Sequence, residues 1–113
     1  MIPVTETTVK ATYEYLCHFP PFSRWSLPPS SKITFYVTDF TSEEAEYDPD
    51  KKTLRVSSAK FSKYHKLLEV MAHEMIHVRE HVCGKWTKKH DSAFFKECRR
   101  QICRHFDFDP LTF

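Results

Sequence analysis

The chain has 113 residues, a formal net charge of +2, 41% hydrophobic and 15% aromatic residues, and a single glycine. A chain of this length buries roughly 65% of the surface its unfolded form exposes, so it folds as one domain without needing metal or disulfides to hold it together, and the ten phenylalanines argue against disorder. The lone glycine excludes phosphate-cradling P-loops and dinucleotide fingerprints, which need several.

The opening MIPVTETTVK has no apolar run behind a basic flank, and no stretch approaches the length of a membrane span. A soluble, unsecreted, cytoplasmic protein with no membrane partner is expected. A first helix is predicted over Thr5 to Cys17, with Thr5 as cap and Val9, Thr12, Tyr13 and Leu16 at helical spacing. Pro20 and Pro21 end it. The proline-rich connection HFPPFSRWSLPPSSK follows, with Phe19, Phe22, Trp25 and Leu27 available to tack it onto the core.

Lys32 to Phe40 is rich in β-branched and aromatic residues and reads as a strand. Two further strand-like pieces, around Glu46 and Tyr47 and over Thr53 to Ser57, flank the turn signal Asp48-Pro49-Asp50 and predict a hairpin. Ser62 opens a long helix to Cys83 with an apolar stripe of Leu67, Leu68, Met71, Ala72, Met75, Val78 and Val82. Gly84 stands where a left-handed cap is needed. Asp91 is the expected N-cap of a last helix that runs through Ala93, Phe94, Cys98 and Ile102 to about His105, and the tail FDFDPLTF is expected to fold back.

Cys17, Cys83, Cys98 and Cys103 form no C-x-x-C pair and no zinc-ribbon spacing, so they read as free buried thiols. Charge is arranged in blocks. Ile33 to Asp50 holds six acidic residues and no basic ones, Lys51 to Lys66 six basic and no acidic, and Lys96, Arg99, Arg100 and Arg104 ride on the last helix. Such blocks are ordinarily solvated faces; convergence of the basic ones would instead make a surface for DNA.

Residues 71 to 81, MAHEMIHVREH, carry the chemistry. His73 and His77 lie one helical turn apart on one face, whereas His81 is about 12 Å of axial rise from His73, too far to share one ion at Zn–N distances of about 2 Å. The segment His73-Glu74-Met75-Ile76-His77 is H-E-x-x-H: two imidazoles for zinc, with a carboxylate placed to reach a metal-activated water without binding the ion. A third ligand must come from elsewhere. His90, beyond Gly84, is favoured; Glu97 is its rival, at a spacing similar to the thermolysin-type proteases, and Cys83 or Glu97 would be the fourth ligand of a closed structural site.

Glu69 and Glu80 flank the motif and are read as surface ion-pair partners, with a hydrogen bond to a ligand imidazole as the alternative. His18, His65, His81 and His105 read as surface or capping histidines. Trp25 is expected to pack on the core, as is Trp86, for which lining the cleft is the alternative. Tyr64, His65 and Arg79 are candidate oxyanion stabilisers, and Thr53 to Ser57 is considered as a sheet edge that holds substrate by strand addition.

HEMIH on a helix ended by glycine, then His90 followed four residues later by Phe94 and by a basic helix, resembles the SprT-like metalloprotease domain, which includes the Spartan-type proteases. The likeness covers nearly the whole chain and departs at Lys89 and Asp91, where many members have glycines beside the histidine. It implies a zincin-like α+β fold in one domain: an N-terminal helix, a small antiparallel or mixed sheet with a β-hairpin, the HExxH helix and a C-terminal helix. It further implies one zinc ion on His73, His77 and His90, Glu74 as catalytic acid/base, and proteolysis of protein or peptide substrates, in some members proteins attached to DNA. So small a free-standing version would suit a phage or bacterial accessory protein. A non-catalytic, zinc-stabilised DNA- or protein-binding module is the competing expectation.

Overall fold

The computed structural model describes residues 4–39, 44–58, 64–108 and 113, apart from the side chains of Tyr64 and His65. Helix α1 spans Glu6–Leu16. Thr5 caps it in a reciprocal box: its hydroxyl accepts the Thr8 N–H at 3.2 Å, and its own N–H donates to the Thr8 hydroxyl at 2.8 Å. Val9, Thr12, Tyr13 and Leu16 are its buried face, as their spacing predicts. The proline-rich connection is tacked down by the buried Phe22 and Trp25, whose rings meet edge to face at 5.1 Å, and by the Tyr13 hydroxyl, which donates to the Pro28 carbonyl at 2.6 Å.

Strands β1 (Thr34–Thr38), β2 (Ala45–Asp48) and β3 (Thr53–Ser57) form one mixed sheet in the order β1-β3-β2. The fold is thus α+β, as expected. The first strand is shorter than predicted because Ser30–Lys32 winds into a 3-10 turn before it; Phe40 lies outside the described residues. The hairpin forms where Asp48-Pro49-Asp50 signals it: Asp48 Oδ1 accepts the N–H of Asp50 at 2.9 Å and of Lys51 at 3.3 Å. Thr53 to Ser57, considered as the sheet edge, is instead the central strand. It pairs parallel with β1, Phe35 opposite Leu54, and antiparallel with β2, Tyr47 opposite Leu54. Its backbone is satisfied on both sides, so the strand that remains an edge beside the long helix is β2.

Helix α2 spans Tyr64–Val82, and Ser62, its expected start, lies outside the described residues. Leu67, Val70, Met71, Ala72, Met75, Ile76 and Val78 are buried, while Val82, assigned to the stripe, is 54% exposed because it ends the helix past the packed part. Gly84 closes the helix at φ +71: its N–H bonds the His81 carbonyl at 3.1 Å, and the Lys85 N–H reaches the Glu80 carbonyl at 2.7 Å, the paired bonds of a Schellman motif. Helix α3 spans Ala93–Phe106. Its N-cap is Ser92 and not Asp91, because the Ser92 hydroxyl accepts the Phe95 N–H at 3.0 Å, the position three residues into the helix that a cap serves. The core sits where α1, α2 and α3 meet the sheet face of Phe35, Tyr47, Leu54 and Val56. None of the four cysteines is in a disulfide; Cys98 is buried, Cys17 and Cys103 half-buried, and Cys83, expected inside, is exposed at the end of α2.

Candidate metal centre

The HExxH face of α2 forms the floor of a cleft of about 830 Å³. One wall is the β2 edge from Glu44 to Tyr47, the other the loop after Gly84 with Trp86, Lys88 and His90, and Phe113 also lines it. Four-residue spacing turns His73 and His77 into this space with ring centroids 5.4 Å apart, and the Gly84 cap redirects the chain so that His90 returns above them. The His90 Nε2 lies 3.1 Å from Nε2 of His77 and 3.4 Å from Nε2 of His73, and the ligand atoms of all three lie within 4.8 Å of one another.

All three imidazoles rest on Phe95, with ring centroids 5.3 Å (His73), 5.3 Å (His77) and 5.0 Å (His90) away. Phe95 is the residue of the candidate site that sequence reasoning missed: the last helix was expected to run through Phe94, Cys98 and Ile102, whereas Phe95, Cys98 and Ile102, at spacings of three and four, are its buried set. That spacing was the available signal.

The three donors lie close enough together to hold one cation. Two nitrogens bound at about 2.05 Å to a tetrahedral ion stand about 3.3 Å apart, the separation His90 keeps from its two neighbours. Burial, and then the neighbouring imidazoles, push the pKa of His73 down to about 3 against a hydrogen bond to the Phe113 backbone that favours the charged ring; burial and His90 push His77 down to about 4. Both are therefore neutral donors at neutral pH, as a divalent ion requires.

Glu74 lies in the same cleft, 6% exposed. The two flanking carboxylates differ. Glu69 pairs with Lys66 at 3.8 Å, Lys66 also lying 3.7 Å from Glu44, although Glu69 itself is buried. Glu80 is not a surface ion-pair residue: it is wholly buried, its Oε1 stands 2.6 Å from His77 Nδ1, and desolvation pushes its carboxyl up to about 7. Glu97 stays out of the cluster. It is exposed on α3, where hydrogen bonds from Arg100, Nε at 2.8 Å, hold it down to about 2. Cys83 is likewise outside the cluster of metal-binding candidates among the described residues.

Arg79, considered for oxyanion stabilisation, does not line the cleft. Its guanidinium stacks over Trp25 at 4.5 Å and Phe94 at 5.1 Å, and its Nη1 points at the Cys98 sulfur, 3.4 Å away. The side chains of Tyr64 and His65 lie outside the described residues. His81 ties α2 to the sheet through its Nδ1, 2.9 Å from the Tyr47 hydroxyl, and His18 and His105 are exposed. Trp86 packs against the core, as expected, and also lines the cleft. Among the described residues no helix is long and apolar enough to cross a membrane. A scan against protein-family models, a search of curated proteins and a search of solved structures each find no match.

Proposed function

We propose that this protein is a zinc-dependent endopeptidase of the SprT-like type, acting in the cytoplasm on proteins or peptides. The observation that carries the reading is the meeting of a third imidazole, from a separate segment, with the HExxH pair in a cleft that also holds the Glu74 carboxylate. His73, His77 and His90 would hold one zinc ion through neutral imidazole nitrogens. Zinc, when bound, supplies a Lewis acid that polarises a scissile carbonyl and acidifies water toward pKa values of about 7.

Glu74 accepts the proton of the attacking water at its carboxylate and returns it to the leaving amine. The β2 edge, Ala45–Asp48, offers its outward backbone groups to an extended peptide lying along the cleft. Phe95 keeps the imidazoles in register, and Trp86 and Val70 give the cleft apolar wall. A closed structural site is less well supported, since three donors leave a coordination position open and such a site has no use for Glu74. Exposed Lys96 and Arg104 on α3, with Arg100 between them paired to Glu97, offer cations to phosphates, which supports substrates held on DNA.

The test is Glu74→Gln, compared with wild type on a denatured protein and on DNA-binding proteins, with and without DNA. The variant is expected to keep its zinc and its melting temperature while cleavage falls by about 10²–10⁴-fold. Equal rates for the two proteins, or a zinc-loaded wild type that cleaves none of these, would overturn the reading in favour of a non-catalytic zinc module.

A further inference from the structure

Helix α2 carries a carboxylate that packing alone disfavours. Glu80 has no exposed surface and leaves its Oε2 without a hydrogen-bond partner among the described residues. A buried carboxyl with one unsatisfied oxygen costs free energy, and an apolar side chain of similar volume would fill the same space without that cost. The other oxygen is engaged: Oε1 stands 2.6 Å from Nδ1 of His77, one turn back on the same helix.

An imidazole has two nitrogens, and the hydrogen bond made by one decides what the other can do. With Glu80 accepting at Nδ1, the hydrogen sits there and Nε2 is left with a lone pair, turned toward His90 at 3.1 Å. The other helix-borne imidazole, His73, is held by a backbone group, that of Phe113. His77 thus has a carboxylate behind it, which raises its strength as a donor.

We infer that Glu80 is a positioning residue for the metal centre, holding His77 in the Nδ1–H tautomer and the ring orientation that presents Nε2 to the ion, at the expense of the fold's own stability. The inference rests on the proposed role of His73, His77 and His90 as zinc ligands. It separates two effects that a purely structural glutamate would tie together.

The test uses the full chain with Glu80→Gln and Glu80→Met, read by zinc affinity in competition with a chromophoric chelator, by melting temperature in excess chelator, and by the ¹⁵N spectrum of the His77 ring without metal. Gln keeps an acceptor oxygen, so the Nδ1–H form persists and zinc affinity falls less than in the Met variant. Met removes the acceptor: the Nδ1–H preference is lost and zinc affinity falls by about 10–100-fold, while the metal-free melting temperature is unchanged or higher. A wild-type zinc affinity in the Met variant, or a loss matched by a collapse of the metal-free protein in both variants, would overturn this role alone. A wild type that takes up no zinc would overturn the ligand assignment and this role with it.

Discussion

The Nε2 atoms of His77 and His90 lie 3.1 Å apart although thirteen positions separate them in the chain, a separation that suits a shared hydrogen bond or a shared cation. The Schellman turn at Gly84 and the Phe95 ring beneath both imidazoles together fix that meeting.

Among the described residues His90 supplies the only candidate donor from outside α2, so His90→Ala leaves two nitrogens for the ion. Zinc affinity is expected to fall by more than the roughly 10–100-fold that losing an outer hydrogen-bond partner costs, with little change in metal-free stability because His90 is exposed. Chelator competition alongside thermal unfolding checks this. Undiminished zinc binding would remove His90 from the site and restore the question of the third ligand.

The metal-free protein should lose stability as pH falls. Between the ordinary histidine value of 6.5 and the native values of about 3 for His73 and about 4 for His77, the unfolded chain binds protons that the native state refuses. Glu80 works the other way, since its native value of about 7 exceeds the ordinary 4.5: its contribution is full below 4.5 and lost as pH rises through 7. From 6.5 to 4.5 two histidines outweigh one glutamate, and below 4.5 the glutamate no longer opposes them. Melting temperatures in chelator should therefore drop as pH falls from 6.5, most steeply near 4.5, and less steeply again as the native His77 and then His73 take up protons at about 4 and about 3. A flat profile across that span would contradict neutral, buried imidazoles.

Phe95→Ala removes a 1%-exposed ring on which three imidazoles rest, and should cost about 3–5 kcal/mol in denaturant unfolding while also weakening zinc binding. Phe95→Leu keeps most of the volume and should lose much less of both. Zinc affinity equal to wild type in the Ala variant would show that the floor contributes packing and nothing to ligand placement.

Local features were legible in the sequence because neighbouring residues decide them. The Thr5 cap, the four-residue spacing of His73 and His77, the Asp48-Pro49-Asp50 turn and the left-handed Gly84 each depend on positions a few residues apart, and each stands where it was expected. The choice of His90 over Glu97 was already a weaker matter, resting on loop length and resemblance, because a third ligand is a meeting of separate segments.

What only the tertiary structure decided is everything set by contact at a distance. β3 became central and β2 the edge because β1 pairs parallel with β3, a register with no local turn to announce it. Glu80 and Arg79 are adjacent polar residues on one helix, yet one is sealed behind His77 and the other spread over Trp25 and Phe94, because helical geometry points them at different neighbours. Charge and spacing fix which residues are able to ligate, bond or pair; which of them do so depends on what the folded chain packs against each one.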